Sequence, residues 1–146
     1  MIKLYFCLIT LFVMFFVVGC SNISTIQKTI NTSPENLNEI IKEMVIKENH
    51  DIESEDGLNF TTKWRRAYQE EDNHPDNTVE VRIEVSIVPE KSKSSFSMKL
   101  EKRSSLYSTD PSNITYSDIG IIQNDKLYMK WNNKIKDLIK EFEKNR

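Results

Sequence analysis

A chain of 146 residues, 38% hydrophobic and 29% charged, has the composition of one ordinary globular domain, which excludes both a disordered polymer and a multi-span membrane protein. Its 20 basic and 22 acidic residues give a formal charge of −2, so it carries no basic footprint for nucleic acid. Both cysteines, Cys7 and Cys20, lie in the first twenty residues, which leaves the rest without an internal disulfide, a CxxC pair or a thiol nucleophile.

The chain opens with a single cation, Lys3, followed by an almost unbroken apolar run from Leu4 to Val18 and the small Gly19. This is the three-part layout of an export signal. The run of roughly 15 residues falls short of the about 20 that a helix needs to cross the hydrocarbon core, so a signal is the better reading than a permanent span. Val17-Val18-Gly19-Cys20 closes the run and has the form of a lipobox, with Val17 where leucine is commoner. Over these twenty residues the chain resembles bacterial lipoprotein precursors of the signal peptidase II type. The resemblance implies cleavage before Cys20, a diacylglyceryl group on its thiol and often a third acyl chain, such as palmitate, on the new amine. At about 0.8 kcal/mol per buried CH₂, two or more chains make a stable anchor where one is marginal. The resemblance further implies that Ser21, where an aspartate would favour the inner membrane, directs the protein to an outer membrane in a cell that has one. From Cys20 onward the chain has 19 basic and 22 acidic residues.

Residues 20–33 are polar with isolated isoleucines and predict a lipidated flexible tether, reaching roughly 40 Å extended and about 20 Å as a coil. The folded domain is expected over 34–146. Ser33-Pro34-Glu35 is a helix start, with a capping hydroxyl, a proline preset for the first helical position and an acid beside the positive end of the dipole. Leu37, Ile40, Ile41, Met44 and Val45 continue it as one apolar stripe to about Lys47. Asp51 to Gly57 is acidic and ends in an Asp-Gly turn signal.

Beyond that turn the period changes to two. Leu58, Phe60, Thr62, Trp64, Arg66 and Tyr68 share one side of a predicted strand; Val79, Val81, Ile83, Val85 and Ile87 form the inner side of a second; Phe96, Met98 and Leu100 that of a third. Opposite them Glu80, Arg82, Glu84, Lys99, Glu101 and Arg103 predict a charged face with cross-strand ion pairs. Ile114 to Ile122 is a short stretch of ambiguous pattern. From about Asp125, Tyr128, Trp131, Ile135, Leu138 and Phe142 fall at helical spacing, and lysines crowd the end of that helix, where its dipole favours cations. A one-faced sheet needs a cover. The expected fold is therefore α+β: a two-layer sandwich in the order α-β-β-β-α, a three-stranded antiparallel meander covered on one face by N- and C-terminal amphipathic helices.

Chemistry is sparse. Only Gly19, Gly57 and Gly120 are glycines, so no phosphate-cradling loop is possible, and there is no G-x-S-x-G elbow or HExxH. His74, within Glu71 to Asp76, is surrounded by potential oxygen ligands, but a solvated hairpin loop accounts for the same composition. The acidic run beginning at Asp51 fails as a calcium loop: its glycine comes one position late and Thr62 stands where the bidentate glutamate belongs. Neither a metal nor any other cofactor is expected, and no catalytic residue is assigned.

Two features suit binding. Trp64, Arg65, Arg66 and Tyr68 are of the residue types that dominate interface hot spots, and the C-terminal helix stripe has the form of a groove ligand, although both also suit packing on the chain's own sheet. The sequence thus predicts a non-enzymatic, membrane-anchored envelope lipoprotein, attached through Cys20 and facing the periplasm from the outer membrane in a Gram-negative cell, that binds an envelope protein as adaptor, assembly accessory or inhibitor. A carrier or sensor of a small apolar ligand or lipid is the runner-up, and a metal-dependent or carboxylate enzyme comes third.

Overall fold

The computed structural model describes residues 24–72, 79–106, 114–121 and 124–144. Its centre is the pair β5 (Val79–Pro89) and β6 (Ser94–Leu106), antiparallel from Val79↔Ser104 to Pro89↔Ser94. Val79, Val81, Ile83, Val85 and Ile87 of β5 and Phe96, Met98 and Leu100 of β6 are all buried on one face, as strict alternation dictates.

The expected three-stranded meander is wrong: among the described residues seven strands form one antiparallel sheet. β1 (Thr25–Ile30) pairs with the first half of β6, from Ile30↔Ser94 to Thr25↔Lys99, so strand begins inside the stretch read as a tether. β7 (Thr115–Ile119) pairs with the second half, from Lys102↔Ile119 to Leu106↔Thr115. On the other side, β3 (Asn59–Thr62) and β4 (Arg65–Arg66) both pair with β5, and β2 (Ile52–Asp56) lies outside β3. The overlooked strands β1, β2 and β7 are lateral ones. Most of their residues face solvent, so the polar and acidic composition that suits an exposed edge hid the apolar alternation on which strand recognition depends.

β2 and β3 join through the two-residue loop Gly57-Leu58, since Asp56 and Asn59 are partners, and Gly57 supplies the positive φ of 60° that such a loop needs. Between Thr61 and Arg65 the chain advances four residues while its partner β5 moves only three, from Glu84 to Val81. That extra residue is a β-bulge, and the Thr62 hydroxyl bridges it by accepting from the Ile83 N–H at 3.0 Å. A one-residue shift exchanges the two faces. Phe60 and Thr62 are buried on the inner side as expected, but Trp64 and Arg66 go to the outer face and Arg65 turns inward, opposite Val81.

Both helices pack against the inner face. α1 (Pro34–Lys47) starts with the Ser33 hydroxyl accepting from the Asn36 N–H at 3.2 Å, with Pro34 in the first turn. It ends in a Schellman motif: Asn49 has a φ of 59°, its N–H donates to the Ile46 carbonyl, and the His50 N–H donates to that of Val45. α2 (Lys126–Lys144) is capped by Asp125, whose carboxylate accepts from the Leu127 N–H at 2.8 Å. Asp125 also pairs with Lys102, a buried lysine on the inner side of β6. Leu37, Ile41 and Val45 of α1 and Leu127, Trp131 and Ile135 of α2 complete one continuous core with the sheet, and Tyr128, Leu138 and Phe142 pack against its margin. The helical stripe offered to a partner by sequence is thus largely occupied by the chain's own sheet.

Candidate functional site

Two clusters of polar and aromatic side chains stand out, on opposite sides of the bulge. The inner one is built on Glu71, whose side chain is 0% exposed. A turn over Tyr68–Asp72, in which the Glu71 and Asp72 N–H groups donate to the Tyr68 carbonyl, brings Glu71 back to Arg65. Arg65 donates to both carboxylate oxygens at 2.7 Å, the Tyr68 N–H donates at 3.0 Å and Lys130 of α2 at 2.9 Å. Lys130 also reaches Glu48 at 2.8 Å and Glu70 at 3.0 Å, and Lys134 reaches Glu48 at 2.6 Å. One fork of charges therefore ties β4, the turn after it, the end of α1 and the first half of α2.

Burial by itself would raise the Glu71 carboxyl, but the bonds from Arg65, Tyr68 and Lys130 outweigh it and hold it down at about 2. Lys130 is displaced in the opposite direction: burial lowers it, while its bonds to Glu48, Glu71 and Glu70 raise it well above the usual lysine value. Neither group exchanges a proton near neutrality.

His50, 1% exposed, lies beside this fork. Its Nε2 is 2.6 Å from Arg65 Nη2, and because a guanidinium only donates, Nε2 accepts and the ring proton sits on Nδ1. Burial, with the Arg65 charge, lowers the imidazole to about 4, so it is neutral at physiological pH and its lone pair is already engaged. Trp131 meets it edge-on at 5.8 Å. Among the described residues His50 Nδ1, Trp131 Nε1 and Arg65 Nε have no hydrogen-bond partner. The arrangement is a staple with no free base or nucleophile among its members.

The outer cluster lies on the face turned away from the helices. Arg82 stands over Trp64 at 4.7 Å, Arg103 over Trp64 at 4.1 Å and over Tyr116 at 3.8 Å, so cations and rings alternate across four strands' width. Each arginine is held from below by its direct cross-strand partner, Arg82 by Glu101 and Arg103 by Glu80, both at 2.6 Å. Lys99 extends the row, 2.8 Å from Glu101 and 3.6 Å from Glu84. Tyr116 remains 44% exposed. This is a pre-ordered, solvent-facing surface of aromatic and guanidinium groups, the chemistry of an interface hot spot.

The four residues singled out as one binding patch are accordingly divided. Trp64 joins the outer ladder and Arg66 is exposed on the same face, paired in register with Glu80; Arg65 is sequestered by Glu71, and Tyr68, 42% exposed, lies against it at 4.4 Å on the inner side. Arg82, Arg103 and Tyr116 complete the outer site and were not assigned to it by sequence. The signal available was the charge alternation of β5 and β6, which places Arg82 opposite Glu101 and Arg103 opposite Glu80 once the strands pair, but nothing local linked Tyr116 to them. Cys20 and His74 lie outside the described residues. Among the described residues no group of three His, Cys, Asp or Glu side chains is placed to hold a metal ion, and no helix is long and apolar enough to cross a membrane. No protein-family model and no curated protein matches this chain.

Proposed function

We propose that the protein is a lipid-anchored envelope protein, acylated on Cys20 and facing out of the cytoplasm, whose small domain binds another protein through the outer face of its sheet. The observation that carries the anchor is Val17-Val18-Gly19-Cys20 at the end of a 15-residue apolar run. The binding role is supported by the Trp64–Arg82–Arg103–Tyr116 ladder, which lies on the side of the sheet away from the core. The adaptor or inhibitor role fits a domain in which Glu71 and Lys130 are each held in one ionised state by their mutual bonds.

The test is intact mass and cross-linked isolation of the tagged protein from native envelopes, run beside Cys20→Ala, Arg103→Glu on the ladder, and Glu53→Arg on the far strand β2. An acylated chain that brings down one stoichiometric protein, lost in Arg103→Glu and kept in Glu53→Arg, supports both halves. An unacylated chain removes the anchor. A partner retained by Arg103→Glu removes the outer face as its binding surface.

A further inference from the structure

Where the chain enters the sheet sets how an anchored domain meets its membrane. The Ser24 carbonyl accepts from the Leu100 N–H at 2.6 Å, and Leu100 is the middle residue of the 13-residue β6. β1 runs away from that point along one half of β6 and β7 approaches it along the other half, so the two strands lie end to end on the same side. The N-terminal segment thus leaves the fold at the centre of one lateral edge rather than at an end of the sheet. Three residues lie between Cys20 and Ser24, four chain steps that span at most about 14 Å when fully extended. The opposite edge, β2, stands four strand positions away, across β6, β5 and β3, which is about 20 Å at the usual strand spacing.

We propose that the β1/β7 edge faces the lipid headgroups and that the sheet stands on the membrane edge-on, with β2 outermost. This rests on the acylation of Cys20 proposed above. A leash shorter than the width of the sheet, attached at the middle of one edge, holds both halves of that edge near the surface. The edge has the chemistry for the contact: Ile114, 57% exposed, lies beside β7, and Lys28 is exposed on β1. An exposed isoleucine enters the apolar side of the headgroup region, and a lysine meets anionic headgroups. Edge-on standing also leaves the outer ladder facing sideways, open to a neighbour in the same membrane, and it gives the unpaired backbone of two edge strands a polar lipid surface in place of other chains.

The experiment uses the acylated mature protein in vesicles of phosphatidylethanolamine and phosphatidylglycerol containing a headgroup-nitroxide lipid. With Cys20 alkylated as a thioether no other thiol remains, so Thr29→Cys, Ser117→Cys and Ser54→Cys each accept one fluorophore. Thr29 and Ser117 flank the entry point on β1 and β7, and Ser54 is on β2. The expected result is strong quenching at 29 and 117 and none at 54. Equal quenching at all three means the outer face lies down on the membrane, and quenching at only one of 29 and 117 means the domain stands on an end; either overturns the edge-on arrangement while the anchor stands. Absence of acyl mass on the same material overturns the anchor and, with it, this arrangement.

Discussion

Arg65 and Trp64 are neighbours in sequence and point to opposite faces of the sheet. Arg65 is turned inward, bonded to Glu71, His50 and the Glu48 carbonyl; Trp64 is turned outward between arginines that solvent still reaches. Both regions are rich in cations, rings and ion pairs, yet burial makes their energetics different. An exposed ion pair contributes about 0–1 kcal/mol, because water competes for both partners. In a buried one, the attraction largely offsets desolvation, and removing one partner strands the other. The inner cluster is therefore a place where the fold is vulnerable, and the outer ladder one where the surface is free to change.

The largest expected effect is at Glu71. Glu71→Ala leaves Arg65 and Lys130 without their shared carboxylate in the interior, and denaturant unfolding of the purified protein should show a loss of about 3–5 kcal/mol. A loss below about 1 kcal/mol would mean that the staple is no more costly to break than the outer ladder.

Acidification sharpens the contrast from another side. The folded-state value of His50 lies near 4, below its ordinary 6.5, so the unfolded chain takes up its proton first and stability falls as pH drops from 6.5 to 4. The slope contributed by this one group is at most about 1.4 kcal/mol per pH unit. Glu71, held at about 2 against an ordinary 4.5, contributes stability that is present above 4.5 and lost as pH falls from there toward 2. Unfolding measured across pH should thus decline in two successive windows, and His50→Gln, which keeps an acceptor for Arg65 and does not titrate, should flatten the upper one alone. An unchanged profile in that variant would show that His50 does not control it.

The smallest effect belongs to the ladder. Arg103→Ala removes a half-buried pair with Glu80 and contacts to two rings, and should cost about 1–2 kcal/mol in the same unfolding measurement. A cost comparable to that of Glu71→Ala would make the ladder a structural element rather than a binding surface.

Local chemistry was legible wherever a residue acts on its near neighbours. Ser33 and Pro34 start α1, Asp56-Gly57 turns a hairpin, and the alternation of β5 and of the first half of β6 declares which side chains are buried, because capping, positive φ and the two-residue period are short-range properties of the chain. β1, β2 and β7 were not legible, because an edge strand is recruited by the partner's unpaired backbone and has little need of an apolar pattern of its own. The candidate patch is divided between two faces for a related reason. A reading of period two carries Trp64 inward with Phe60 and Thr62, but the one-residue bulge, visible only in the register against β5, exchanges the faces after Thr62. The sequence by itself determined the amphipathic helices, the central strands and the residue types available to a site; tertiary pairing decided which edges are occupied, that Arg65 is sealed against Glu71, and that Trp64 meets Arg82, Arg103 and Tyr116, since these contacts join residues up to 65 positions from Arg65 in the inner cluster and across four strands in the outer one.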